Sequence, residues 1–273
     1  MIIDAHQHFW QLCRGDYTWL TSELTPLYRD FLPEHLIDHL DNKSIAGTIV
    51  VQAAPSIAET EFLLSLAKNN KRIKGVVGWV DFESIDVKST IRELSMAEKL
   101  VGLRPMIQDI EDIDWMLKDT LKPAFRVMSE CNLTFDALVL PKHLTNLLTL
   151  LTQFPELTTV IDHAAKPNIK KAEILEWSDN MRRLANETSA YCKISGLVTE
   201  ASSDCSIEEL KPYVDILLDA FGPSRLIWGS DWPVLLLASN YEDWFDASLN
   251  LLPVSAEERG LIFGGNAIRA YGL

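Results

Sequence analysis

Gly47-Thr48-Ile49-Val50-Val51-Gln52 is a short apolar run rich in β-branched residues, and Ile73-Lys74-Gly75-Val76-Val77-Gly78-Trp79-Val80 is another; between them, residues 59–69 recur with a helical period. Strand, helix, strand is the unit from which parallel sheets are built. The alternation continues in both directions. Apolar runs at 2–5, 47–52, 73–80, 100–104, 133–137, 159–162, 190–194 and 226–228 read as eight strands. Periodic segments at 33–40, 59–69, 86–98, 112–130, 141–151, 170–187, 206–221 and 240–251 read as the helices that follow them. Ser206, three residues before Glu209, carries a capping-box pattern. Eight such units in 273 residues fit one closed (β/α)8 barrel, a TIM barrel, better than an open doubly wound sheet, which stands as the alternative. Residues 9–33 make a first βα loop too long for a simple connector, and 255–271 read as a helix that closes the barrel. With no linker and no repeat beyond the βα period, residues 1–273 are expected to form a single domain.

Composition narrows the function classes. The chain has 25 basic and 39 acidic residues, a net charge of −14, which disfavours a surface that tracks phosphates or an anionic membrane. Apolar residues at 47% exclude a disordered polymer. No run approaches the roughly 18 apolar residues of a membrane span. Four cysteines, Cys13, Cys131, Cys192 and Cys205, are scattered without a C-x-x-C pair, so free thiols in a reducing compartment are expected. The first residues, Met1-Ile2-Ile3-Asp4, lack the basic and apolar regions of a signal peptide, and a cytoplasmic protein is the expectation.

In such a barrel the chemistry collects where the strands end, because the βα loops converge there. Strand one ends in Asp4-Ala5-His6-Gln7-His8, strand four in Arg104-Pro105, strand five in Asp136, strand six in Asp162-His163, strand seven in Lys193 and Ser195, and strand eight in Gly229-Ser230-Asp231-Trp232-Pro233. His6 and His8, two apart on an extended backbone, point the same way and can hold either a divalent ion or a carbonyl oxygen. Asp231 suits a metal ligand, a general base or both, with a helix cap as its structural alternative. His163 follows an apolar strand, where a hydrogen-bonded core histidine is the competing reading. Arg104 at the barrel axis needs an anion or a polarised oxygen, or else pairs with a carboxylate such as Asp136. Trp10, Trp79 and Trp232 stand beside strand ends and can stack on a sugar or lactone ring or simply pack the rim. His35 and His39 have i, i+4 spacing but read as a solvated helix face, and His143 reads as surface. Neither G-x-S-x-G nor a phosphate-cradling G-x-x-x-x-G-K is present, which argues against serine-hydrolase and nucleotide-dependent chemistry.

Together these stretches, with Gly15-Asp16-Tyr17, Trp19-Leu20, Leu27-Tyr28-Arg29-Asp30-Phe31, Gly78-Trp79-Val80-Asp81, Gly102-Leu103-Arg104-Pro105-Met106, Asp162-His163-Ala164-Ala165-Lys166-Pro167, Lys193-Ile194-Ser195-Gly196-Leu197 and Gly265-Asn266-Ala267, resemble the amidohydrolase superfamily and, within it, the amidohydrolase-related branch of sugar-acid lactonases. The resemblance implies a barrel that hydrolyses an aldonolactone of the L-fucono- or L-rhamnonolactone kind to its acid. His6 and His8 match the first-strand pair, His163 the sixth-strand histidine and Asp231 the eighth-strand aspartate. The chain departs from the binuclear members, which carry lysine and histidine where it has Arg104 and Asp136. The resemblance therefore implies either one divalent ion, zinc or similar, on His6, His8, His163 and Asp231, or catalysis without a metal. In both cases Asp231 moves the proton, the metal or else the donors His6, His8, His163 and Arg104 stabilise the oxyanion, and His6, His8, Trp79, Asp136 and Trp232 are expected to contact the small-molecule substrate. Two alternatives remain at this stage: a metal-dependent decarboxylase of the same superfamily and a non-catalytic barrel that binds sugar acids.

Overall fold

A computed structural model describes residues 1–202 and 206–273, so the expectation for Cys205 lies outside the described residues. Eight strands run in chain order around one sheet: β1 (Ile2–Gln7), β2 (Ile45–Val51), β3 (Ile73–Gly78), β4 (Leu100–Leu103), β5 (Thr134–Ala137), β6 (Thr159–Ile161), β7 (Tyr191–Ile194) and β8 (Leu226–Trp228). Every neighbouring pair from β1 to β8 is parallel. Eight helices follow them in turn: α1 (Pro33–Asn42), α2 (Ile57–Asn69), α3 (Val87–Leu94), α4 (Lys122–Glu130), α5 (Leu144–Gln153), α6 (Leu175–Glu187), α7 (Ile207–Phe221) and α8 (Tyr241–Leu251). Alternation along the strands sorts the side chains. Ile3, Ala5, Ile49, Val51, Val77, Val101, Val160 and Ile227 fill the interior. Val50, Val76, Leu103, Phe135 and Ile161 belong to the larger cluster shared with the helices.

The sheet closes where β8 meets β1. Asp231 N–H donates to the His6 carbonyl and His8 N–H to the Trp232 carbonyl, both at 2.7 Å. Asp4 locks this seam beneath the strand ends. Its Oδ1 accepts from Ser230 N (2.9 Å) and its Oδ2 from Ser230 Oγ (2.6 Å) and Tyr241 Oη (2.9 Å). Burial raises the Asp4 carboxyl to about 6 against the pull of these donors. The long first loop is clamped at its base by Trp10 and Phe31, which exchange backbone hydrogen bonds of 2.8 and 3.0 Å.

Three expected helices are broken. Segment 170–187 opens on the end of a 3₁₀ turn, Ile169–Lys171, and a left-handed Ala172 at φ +53°, and α6 begins only at Leu175. Segment 112–130 holds two short 3₁₀ turns, Trp115–Leu117 and Asp119–Leu121, before α4 begins. Pro123 explains the late start, since its fixed φ and missing N–H suit the first turn of a helix, and α4 begins there. Segment 255–271 splits into α9 (Ala256–Gly260), a wide turn at Leu261–Gly265, and α10 (Asn266–Tyr271). The break falls where a Cβ on Gly264 would collide with the Met1 carbonyl, so the chain opens its helix to pass the start of β1. The last helix then sends Tyr271 into the interior cluster. His143, expected at the surface, is fully buried, with Nδ1 accepting from Leu140 N at 3.1 Å. Among the described residues no helix is long and apolar enough to cross a membrane.

Asp4→Ala strips the acceptor from Ser230 and Tyr241 at a buried seam, and a loss of about 3 kcal/mol is expected from the stranded donors. A urea midpoint equal to wild type would show that the seam does not depend on Asp4.

Candidate active site

The strand ends deliver a charged floor. Lys193 Nζ, fully buried on β7, lies 2.5 Å from Asp136 Oδ2, 2.9 Å from Asp162 Oδ1 and 3.2 Å from His6 Nδ1. Arg104 Nη1 sits 3.3 Å from both Asp162 Oδ2 and His6 Nε2, and its Nη2 donates to the Gln52 carbonyl. Burial opposes ionisation of Asp162, but Lys193, His6 and Arg104 outweigh it and hold the carboxyl well below its usual range. Burial pushes Asp136 up to about 7 despite Lys193. His6, desolvated and facing a cation at each ring nitrogen, is driven well below the usual imidazole range and stays neutral.

Above this floor stands Asp231, whose backbone is left-handed at φ +60°. Its Oδ1 is ringed by three imidazole Nε2 atoms, at 3.3 Å from His8, 3.8 Å from His6 and 4.0 Å from His163. His8 Nδ1 lies 2.8 Å from the Val51 carbonyl, which can only accept, so Nδ1 carries a proton and donates to it. His163 Nδ1 lies 2.9 Å from Ser195 Oγ. Burial lowers His163 to about 4, and Asp231, although burial raises it, is pulled below the carboxylate range by His163, His8 and His6. Three imidazole nitrogens around one carboxylate oxygen form the nitrogen and oxygen set that a divalent ion such as zinc takes. Ligand atoms of His6, His163 and Asp231 all lie within 4.8 Å of one another. A second group of that size, His6, Asp136 and Asp162, already encloses the Lys193 ammonium and has no room for a metal.

His163 reaches this point through an unusual turn. Four consecutive residues, His163, Ala164, Ala165 and Lys166, have φ between +51° and +59°. Each left-handed non-glycine residue costs about 1 kcal/mol or more. The turn places both His163 and Lys166 on a cavity of about 500 Å³ that is also lined by His8, Arg104, Asp231, Thr18, Trp19, Gln108 and Asp109.

Of the residues singled out in the sequence, His6, His8, Arg104, His163 and Asp231 therefore converge. His6, fully buried, stays in the floor beneath the cavity wall, and three further residues do not reach it. Asp136 is sealed beneath it by Lys193 and by the Tyr271 hydroxyl, which donates to both its oxygens at 2.8 and 2.9 Å. Trp232 turns outward into Phe31 and Phe9, with ring centroids 5.1 and 6.2 Å away. Trp79 is half-buried beside α2, its backbone N–H bonded to Thr60 Oγ1. The His35 side chain is exposed and caps the start of α1, and His39 pairs with Glu242 at 2.7 Å. Lys193 stands on the strand-end list and Trp19 and Lys166 in the stretches that carry the resemblance, yet none of the three has a role assigned from sequence. A lysine inside the apolar strand Tyr191-Cys192-Lys193-Ile194 is a signal of its own, whereas the irregular loop around Trp19 has no period to read.

With this geometry in hand, the likeness to known proteins is specific. The family described as amidohydrolase matches residues 3–273. An L-fucono-1,5-lactonase of Burkholderia ambifaria is 42% identical over 98% of this chain and 94% of its own. An L-fucono-1,5-lactonase of Burkholderia multivorans is 34% identical over 99% and 96%. The crystal structure of a Burkholderia multivorans amidohydrolase with bound zinc superposes with a TM-score of 0.94 at 33% identity, over 100% of this chain and 99% of that one.

Gly196 (φ +65°) lies against the His163 ring: a Cβ there would sit 2.6 Å from Nδ1. Gly196→Ala should destabilise by about 2 kcal/mol, against about 1 for Gly15→Ala, which is equally left-handed but has open space around it. Melting curves compare the two, and equal losses would mean that the ring yields freely.

Proposed function

From the chain's membership of the amidohydrolase family we propose that it hydrolyses a sugar-acid 1,5-lactone to the aldonic acid, with Asp231 as the proton carrier. The observation that carries the chemistry is the convergence of three imidazoles on one ionised carboxylate, with Arg104 lining the same cavity. The two full-length curated relatives at 34% identity or more bear lactonase names, so the decarboxylase alternative is not favoured. A non-catalytic barrel would have no need to hold Asp231 ionised among three imidazoles.

The lactone enters with its carbonyl toward Asp231. A water attacks the carbonyl carbon while Asp231 Oδ accepts its proton, and the carbonyl oxygen becomes an oxyanion. Arg104, which faces the cavity and cannot lose its charge, stabilises that oxyanion. Collapse breaks the bond from the carbonyl carbon to the ring oxygen, and Asp231 returns its proton to that oxygen, leaving a free acid and a hydroxyl. A carboxylate held so low in pKa is ionised at every working pH and gives up a captured proton readily. Lys193 acts through His6, fixing its ring from below and keeping it neutral. His6, His163 and Asp231, joined by His8, would hold one divalent ion, which when bound polarises the carbonyl and acidifies water. Free thiols at Cys13, Cys131 and Cys192 support a reducing compartment.

Asp231→Asn should lower kcat/KM on an aldonolactone by about 10³-fold or more, since it removes the proton carrier, while circular dichroism stays that of wild type. Hydrolysis is followed as acid release with a pH indicator, and an Asn variant with wild-type turnover would remove Asp231 from the mechanism. With His163 lowered to about 4, the neutral imidazole persists above that pH. The acid limb of kcat/KM should accordingly fall near pH 4, and a limb centred near 6.5 would show that His163 titrates as an ordinary histidine.

A further inference from the structure

The first βα loop contributes something that proton transfer does not use. Trp19 forms part of the wall of the cavity that His8, His163 and Asp231 also line, with about a third of its surface open. It is not a loose rim residue. Its indole Nε1 donates to the Ala53 carbonyl at 2.8 Å, and the buried Trp10 meets it at right angles, 88° with centroids 5.5 Å apart. One buried side chain ties both halves of this arrangement. Glu59, at the start of α2, accepts from Ala53 N through Oε1 at 3.1 Å and from the Tyr17 hydroxyl through Oε2 at 2.8 Å. The backbone that receives the Trp19 indole and the loop residue two positions before Trp19 therefore hang on a single fully buried carboxylate.

A cavity of about 500 Å³ accommodates one six-membered sugar lactone. Its polar walls supply the groups that act on the carbonyl; the opposite need, a flat apolar surface for the ring's C–H face, is met by an immobilised indole. We infer that Trp19 is the platform on which the substrate's sugar ring stacks, a specificity-determining residue, and that Tyr17 and Glu59 are the positioning residues that set it. This rests on the lactonase reading of the same site. A platform of this kind binds ground state and transition state alike, so its loss raises KM and leaves kcat nearly untouched. It also senses which ring hydroxyls project toward the indole, so it discriminates between epimers.

The test uses the full-length protein on a panel of aldonolactones that includes a pair epimeric at one ring carbon. Trp19→Ala is expected to raise KM about tenfold with kcat within about threefold, and to narrow the ratio of kcat/KM between the epimers. Trp19→Phe, which keeps an aromatic face, should recover KM to within about threefold of wild type. Tyr17→Phe removes the bond to Glu59 without changing shape and should raise KM about threefold, again with kcat preserved. A wild type inactive on every lactone overturns the lactonase reading and the platform together. An active wild type with unchanged KM in Trp19→Ala, or a loss confined to kcat, overturns the platform alone. Trp19→Ala behaving as expected while Tyr17→Phe keeps wild-type KM overturns the positioning role.

Discussion

A lysine ammonium with no exposed surface, Lys193, is the constraint around which the catalytic end is organised. An isolated charge in a protein interior is far too costly to persist, so it must be met by carboxylates at hydrogen-bond distance. Asp136 and Asp162 meet it, and Arg104 brings a second cation to the far side of Asp162. Four groups that would each be prohibitive alone thus stabilise one another, and each fixes the position of the next. His6 is the member that couples this floor to the chemistry above it. Cations at both of its ring nitrogens leave it neutral, with Nε2 directed toward Asp231. Tyr271 extends the network downward, so the end of the chain is packed against the underside of the site.

Closure of the sheet has a related logic. The bonds from β1 to the residues after β8 are made by the backbones of His6, His8, Asp231 and Trp232, so the seam and the site share residues. Asp4 supports both from below, through Ser230 next to Asp231. Local strain is concentrated in the same place, in Asp231 and in the left-handed turn from His163 to Lys166. Conformations of this kind persist only where surrounding contacts over-determine them, and here they swing a histidine and a lysine onto one cavity wall.

Much of the fold and about half of the site were legible in the residues. Ile49 and Val51 alternate with Val50 because strands have a period of two, and that periodicity survives burial, so eight strands in order could be counted. His6, His8, His163 and Asp231 could be placed because a barrel forces strand ends to one face. Asp136 and Trp232 show the limit. Both stand at strand ends as expected, but whether an end residue points into the cavity, under it or outward depends on local twist and on which partner claims the side chain. Lys193 claimed Asp136, and Phe31 with Phe9 claimed Trp232. The broken helices at 112–130 and 255–271 follow the same division: Pro123 was visible in the sequence, whereas the approach of Gly264 to Met1 joins opposite ends of the chain.

By itself, then, the sequence determined the βα rhythm, the barrel, the set of imidazoles and the carboxylate that face its axis, because each depends on spacing along the chain. Tertiary structure alone decided that Lys193 fills the place between His6, Asp136 and Asp162, that three Nε2 atoms share one oxygen of Asp231, and that Trp19 walls the cavity. These are contacts between residues from 31 to 225 positions apart or on an irregular loop, and no local period encodes them; they arise when charge must find charge, and an indole an acceptor, in a space closed to water.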